Sequence, residues 1–263
     1  MPTIFNVLEE LNYTPWGEVV TWGIYNDTIL PSLTRLQLPR LWDPVLDGHF
    51  HFFETFKQQA LDGTLPTYSF IEPSFTIDPN DEHPPHDVRL GEQFIHDVYQ
   101  AASSGKEWEQ TLLLITYDEH GGCYDHVPPP WNATPPDPES NPGEAGFSFN
   151  RFGVRVPALL ISPYIEAGTV FRSTTDVPYD HTSILATICN WLNIPGDKML
   201  PSARIKAAPK FGNVLTRATP RPDRPTVTPQ ESLTAWRVML DLAPNDLQTV
   251  SYTHLTLPTI LRV

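Results

Sequence analysis

Apolar and polar positions follow two periods along this chain, and its elements begin and end where one period gives way to the other. Residues 3–11 place Ile4, Leu8 and Leu11 at helical spacing with Phe5 alongside, and Asn12 to Gly17 break the pattern. Residues 18–25 read as a strand that stops at Asn26-Asp27, and residues 28–48 are irregular and rich in Pro and Leu. From 49 to 61, Phe50, Phe53, Phe56, Ala60 and Leu61 share a face, which predicts an amphipathic helix starting near His49 and His51. Asp62-Gly63 is its stop. Residues 67–71 predict the next strand, which delivers Glu72. Asp87 is expected to cap a helix over 88–103 with Leu90, Phe94, Ile95 and Val98 inward. Thr111 to Tyr117 is a short apolar run that reads as a buried strand, with a buried helical turn as the alternative. Residues 154–161 predict another buried strand. Residues 184–192 predict a helix with Ile184, Leu185, Ile188 and Leu192 inward and Thr182 or Ser183 as its cap. Beyond 195 the periodicity fades into a stretch rich in Pro, Arg, Lys and Ala, with a short helix expected at 231–242. Helix and strand alternate from the first residues, so the expected class is α/β, entered in mid-pattern.

The chemistry gathers where the apolar run at 111–117 stops. The chain delivers Asp118, Glu119 and His120, then Gly121-Gly122, then Asp125-His126 and three prolines. Ligands of open α/β sheets sit beyond the carboxyl ends of the strands. Two adjacent carboxylates there repel unless a cation or proton neutralises them, and oxygen-rich clusters suit a divalent metal. The Pro-rich stretch 78–87, DPNDEHPPHD, offers a stiff loop that can hold His83 and His86 in place. Imidazoles there can bind phosphoryl oxygens or protonate a leaving alkoxide. His181 falls just outside the helix expected at 184–192, where the helix dipole favours anions. The long loop from 128 to 150 is dense in Pro, Gly and acidic residues and reads as part of a pocket rim.

Composition narrows the field. A formal charge of −14 over 263 residues argues against nucleic acid as a partner and against unspecific docking on anionic lipid. An acidic protein that takes a phosphate-bearing substrate needs a local attractor, and a bound cation serves. Two cysteines, Cys123 and Cys189, make no disulfide framework and leave the redox compartment open. No apolar run approaches the roughly 18 residues of a membrane span, and the first eleven residues lack a signal-peptide core. Asn12, Asn26 and Asn132 open glycosylation sequons, a short pattern that carries little weight.

The stretch YDEHGGCYDHVPPP closely resembles the signature of the phosphoesterase family that holds phosphatidylcholine-type phospholipases C and certain acid phosphatases. The likeness extends to GTLPTYSFIEPSF at 63–75, DEHPPHDVRLGEQFIHDVY at 81–99, FGVRVPALLISPYIEAGTV at 152–170 and YDHTSILATICNWL at 179–192. It implies an alkaline-phosphatase-like α/β sheet flanked by helices. It also implies hydrolysis of phosphate esters, on phospholipid or a small phosphate ester, with a divalent ion held by Asp118 and Glu119. His83, and with it His120, His126 and His181, would bind the phosphoryl group or supply the leaving-group proton. Complete members carry an upstream half with a Glu-Asn ligand pair and a Ser or Thr nucleophile, and no matching motif occurs here before residue 63. The expectation is therefore a C-terminal portion of a phosphoesterase domain at 1–195, an irregular extension at 196–250 and a non-native tail at 251–263. That tail, SYTHLTLPTILRV, resembles translated adapter read-through, with a genuine C-terminal strand as the alternative. Resemblance places the protein outside the cytoplasm, secreted or periplasmic. Two other readings stand beside this one: a self-contained zinc hydrolase using Asp118, His120, Asp125 and His126, and a chain without catalysis of its own.

Overall fold

Three strands of this chain are buried along almost their whole length, and that continuity places them in the middle of a sheet with both faces covered. The computed structural model describes residues 2–137, 144–229 and 256–262, which divide into two compact units. The larger unit is built on residues 22–124 with 156–163 and the chain from Pro220. Its strands are β1 (Trp22–Asn26), β2 (Phe50–Phe52), β3 (Tyr68–Glu72), β4 (Thr111–Tyr117), β5 (Ala158–Ile161) and β6 (Thr256–Arg262). They form one mixed sheet in the order β2-β1-β3-β6-β4-β5. β1 lies parallel to β2 and β3, whereas β6 is antiparallel to both β3 and β4, and β5 is antiparallel to β4. The first four strands therefore run one way, and the carboxyl ends of β1, β3 and β4 open onto one edge.

Every residue of β1 and β3 is buried, as are the first six of β4. Alternate positions Tyr25, Ile71, Leu113 and Ile115 join a core with Phe53 and Phe56 of α3 (Phe53–Asp62) and Phe94, Val98 and Tyr99 of α4 (Val88–Ser104). The interleaved Ile24, Phe70, Leu112 and Leu114 are buried as well. Gly63 ends α3 in the left-handed region at φ 74°, as its sequence position predicts. Gly105 ends α4 where a Cβ would stand 2.5 Å from the Ala60 carbonyl oxygen, so the two helix ends approach as closely as a glycine allows.

Two expectations are corrected here. The helix predicted from His49 begins only at Phe53. His49 instead stacks on Trp22 with ring centroids 3.8 Å apart and its Nδ1 lies 2.8 Å from the Trp22 carbonyl, and Phe50–Phe52 pair with β1. The buried strand expected over 154–161 is confined to Ala158–Ile161, because Pro157 has no N–H to offer a ladder and its carbonyl takes the Thr116 hydroxyl instead, and at the sheet edge the strand's residues are exposed or half-buried. Thr256–Arg262 forms β6, with Pro258 opposite Ile115 in the ladder. The helix expected at 231–242 and His254 lie outside the described residues.

The smaller unit comprises residues 1–21, 125–155 and 164–219. Its first helix, α1 (Ile4–Glu9), is capped reciprocally by Thr3 and Asn6 and buries Ile4, Phe5, Val7 and Leu8. Residues 196–219, expected as an irregular extension, pack here. Helix α6 (Ala203–Ala207) buries Ile205, and Phe211 and Val214 are buried behind it. The Phe211 N–H donates to Thr187 Oγ1 of α5 (His181–Trp191) at 3.2 Å. Along the loop 125–155, Trp131 and Arg151 form a bridge, with the Arg151 guanidinium 4.5 Å over the Trp131 ring.

Candidate functional site

The edge where β1, β3 and β4 end carries a carboxylate at each strand. Beyond β1, Asp27 accepts from Asn80 Nδ2 at 2.8 Å, and burial raises its carboxyl above the ordinary range. Glu72, the last residue of β3, is 1 % exposed. It accepts from the Leu33 and Thr34 N–H groups at 2.8 and 3.1 Å and from the Thr34 hydroxyl at 2.6 Å. Burial raises its carboxyl too, against the pull of those donors. Glu72 therefore fastens the start of α2 (Leu33–Gln37) to the sheet and has no remaining reach toward a substrate.

Beyond β4 the chain bends. Asp118 Oδ1 accepts the Glu119 N–H at 3.0 Å, and Gly121 and Gly122 follow with φ of 60° and 77°. The Cys123 N–H returns to the His120 carbonyl at 3.0 Å, closing a tight turn that only left-handed residues permit. Asp118, Glu119 and His120 are all half-buried on this turn. The Nδ1 of His120 is buried without a hydrogen-bond partner among the described residues.

The loop 81–87 lies against the same turn: a Cβ on Gly121 would meet Pro84 Cδ at 3.6 Å. His83 Nδ1 stands 2.6 Å from the Pro84 carbonyl oxygen, which can only accept, so Nδ1 carries the proton and Nε2 of the neutral ring keeps its lone pair. His86 Nδ1 lies 2.5 Å from Asp81 Oδ1, and Asp81 is 4 % exposed. A buried carboxylate held against Nδ1 fixes the orientation of the ring and leaves Nε2 for a ligand or a proton. Sequence reasoning gave His86 less weight than His83. The signal for it was the acidic residue five positions upstream across a rigid Pro-Pro pair.

His126 and His181 are placed differently. The His126 side chain is 88 % exposed and stands 3.3 Å from Asp125. Asp125 is itself occupied by Arg155, whose Nε and Nη2 donate to it at 2.6 and 2.9 Å, and by the Val127 N–H. The Arg155 guanidinium holds this carboxyl far below its usual range. His181 is exposed and opens α5 as its first residue. The cap is Asp180, not the expected Thr182 or Ser183. Its carboxylate takes the Thr182 N–H at 2.9 Å in a capping box with Ser183. That helix N-terminus already holds an anion of its own.

No group of three or more His, Cys, Asp or Glu is placed to hold a metal ion among the described residues. Of the four residues named for a self-contained zinc site, Asp125 is committed to Arg155. Asp118 and Glu119 fit a hard divalent ion as two oxygen donors of a larger set.

An α/β sheet that brings carboxylates and oriented imidazoles to the carboxyl end of its strands has the arrangement α/β enzymes use to bind ligands. Residues 18–195 match the Phosphoesterase family, and the chain belongs to that family. It is 41 % identical over 233 residues to non-specific phospholipase C4 of Arabidopsis thaliana, covering 85 % of this chain and 41 % of that protein. To non-specific phospholipase C6 of the same plant it is 40 % identical over 221 residues, 80 % of this chain and 42 % of the relative. Phospholipase C B of Mycobacterium tuberculosis strain H37Rv is 31 % identical over 182 residues, 65 % of this chain and 34 % of its own. The chain thus spans less than half the length of these curated relatives.

Among the described residues, no helix is long and apolar enough to cross a membrane.

Proposed function

We propose that this chain carries part of the active site of a phosphate-ester hydrolase of phospholipase C type, acting on a phospholipid. The observation that carries the reading is the turn after β4. Within the family-matched span it offers two adjacent half-buried carboxylates and a buried imidazole nitrogen with no partner of its own. The likeness to proteins named phospholipases C supports a phosphodiester substrate. The reading brings with it an alkaline-phosphatase-like architecture and a Ser or Thr nucleophile supplied by residues other than the 263 here.

In this proposal Asp118 and Glu119 contribute two oxygen donors to a divalent ion. Such an ion, when bound, offsets the charge of the phosphoryl oxygens in a protein whose own charge is −14. The work of the chain's own residues follows from their hydrogen bonds. His86, held by Asp81, and His83, held by the Pro84 carbonyl, each direct Nε2 away from the protein contact that fixes Nδ1. A ring that has taken up a proton at Nε2 can pass it to the alkoxide oxygen as the phosphorus–oxygen bond to the lipid glycerol breaks, and so returns to the neutral form with its remaining proton on Nδ1. His120 supplies a buried ring nitrogen beside the carboxylate pair. Asp27 and Glu72 keep the edge rigid from below.

The test is hydrolysis of p-nitrophenyl phosphorylcholine and p-nitrophenyl phosphate by the chain alone and by the chain joined to the upstream portion of a plant relative. Each is assayed with divalent ions and with chelator. The completed protein is expected to cleave the phosphorylcholine ester and to lose that activity in chelator. A completed, folded protein that cleaves neither ester sinks the proposal, and preference for the monoester moves it to the acid phosphatase branch.

A further inference from the structure

Glu82 is the one acidic residue of the 81–87 loop turned into the protein without a cation to meet it. Its backbone is in the left-handed region at φ 63°, a conformation that non-glycine residues adopt at a cost. That conformation directs the side chain between two elements. On one side Glu82 Oε2 accepts the Tyr117 hydroxyl at 2.5 Å, from the last residue of β4. On the other, Glu82 lies over α4 at Gly91, where a Cβ would stand 2.1 Å from Glu82 Cγ and 2.6 Å from Oε1. Only a glycine leaves that seat open. Oε1 is buried with no hydrogen-bond partner among the described residues. A small cavity lined by Pro73, Asn80, Phe94, Ile95 and Ile115 lies beside it.

A glycine inside a helix, a strained backbone and an unpartnered carboxylate oxygen are three separate costs at one contact. What they achieve is a tie between two segments. Tyr117 immediately precedes Asp118 and Glu119, and Glu82 lies between Asp81, which orients His86, and His83. We propose that Glu82 is a positioning residue. Gripped by Tyr117 and seated over Gly91, it fixes the 81–87 loop so that His83 and His86 keep their place against the turn that bears Asp118 and Glu119. Burial raises its carboxyl above the usual range, the Tyr117 bond works against that rise, and the Glu92 and Asp81 charges add to it. The functional side of this inference rests on the phosphoesterase reading; its structural side does not.

The test uses the 263-residue chain and two readouts, backbone amide exchange over 82–87 and the ring-proton resonances of His83 and His86. Tyr117→Phe, Glu82→Ala and Gly91→Ala are expected to speed exchange by about three- to tenfold and to move both ring signals. Glu82→Gln keeps an acceptor for Tyr117 and is expected to stay within about twofold of the parent. Tyr117→Phe combined with Glu82→Ala is expected to add nothing to either alone, since both break one bond. Tyr117→Phe removes a single oxygen, so it decides the matter should Glu82→Ala fail to fold. Unchanged exchange in folded Tyr117→Phe, or additive effects in the double variant, overturns the clamp. In the completed enzyme the same variants are expected to lower kcat with little change in KM. A clamp seen by exchange in a protein that cleaves no phosphate ester leaves this inference standing and removes the phosphoesterase reading.

Discussion

Carboxyl groups at the edge of the sheet and carboxyl groups in the loop 125–155 are the same chemical object in opposite surroundings. Asp27, Glu72 and Glu82 are withdrawn from water, and burial raises all three above their ordinary range. Asp125 is gripped by Arg155 and held far below it. The histidines divide along the same line: His83 and His86 are oriented by buried or backbone partners, whereas His126 stands in solvent. Burial costs something and fixes position, and surface pairing costs little and fixes little. A site that must hold reacting groups to fractions of an ångström belongs in the first environment.

The widest separation between the two regions is expected in turnover. In the completed enzyme Asp118→Asn is expected to lower hydrolysis of p-nitrophenyl phosphorylcholine by roughly a thousandfold or more, as loss of a group that holds a catalytic ion does. Asp125→Asn in the same background is expected to cost less than about tenfold. Equal losses at the two positions would erase the distinction between edge and loop.

Stability should part next. Glu72→Ala strands the Leu33 and Thr34 N–H groups and the Thr34 hydroxyl in a buried place, so urea unfolding is expected to show a loss of about 2–4 kcal/mol. Arg155→Ala releases a pair whose guanidinium is exposed and is expected to leave the urea midpoint nearly unchanged. A midpoint for Glu72→Ala within error of the parent would show that its three hydrogen bonds carry no net stability.

The smallest effect, and the sharpest in sign, is the response to protons. Asp27 and Glu82 have folded values raised above their ordinary 3.8 and 4.5. Their contribution is fully present below those values and is lost as pH rises through the folded ones. Asp125 is depressed below its ordinary 3.8, so its contribution is present above that value and is lost as pH falls toward its folded one. Asp27→Asn and Glu82→Gln are expected to flatten the fall in melting temperature as pH rises from about 4 through their raised folded values, each by about 1–3 °C. Arg155→Ala is expected to flatten only the acid limb below about pH 4. Thermal scans across pH check both limbs at once.

What the sequence disclosed followed from local rules. Thr111–Tyr117 is a strand because seven residues of mostly apolar character need two covered faces, and Asp87 and Gly63 bound helices because their own side chains or backbones do the capping. What it concealed depends on partners far along the chain. His49 looked like a helix start until Trp22 offered it a ring and a carbonyl, and Glu72 was a strand-end carboxylate of undecided role until Leu33 and Thr34 came to it across nearly forty residues. Asp180 was legible as a cap only on seeing that the helix starts one turn earlier than its apolar stripe. The place of Asp118, Glu119 and His120 after β4 was legible because the three follow one another where the apolar run stops. The role of Glu82 was not, because its meaning lies in Tyr117 and in the empty Cβ position of Gly91.

That missing methyl group sets a rule for variation. Alanine would favour the helix by about 1 kcal/mol at an ordinary interior position. At position 91 it would evict the carboxylate lodged there, so a substitution that improves the local helix degrades a loop nine residues upstream in sequence. A library randomised at this codon and screened for a folded, well-ordered 81–87 segment is expected to return glycine alone. Neither hydropathy nor helix propensity would give any sign of so strict a constraint.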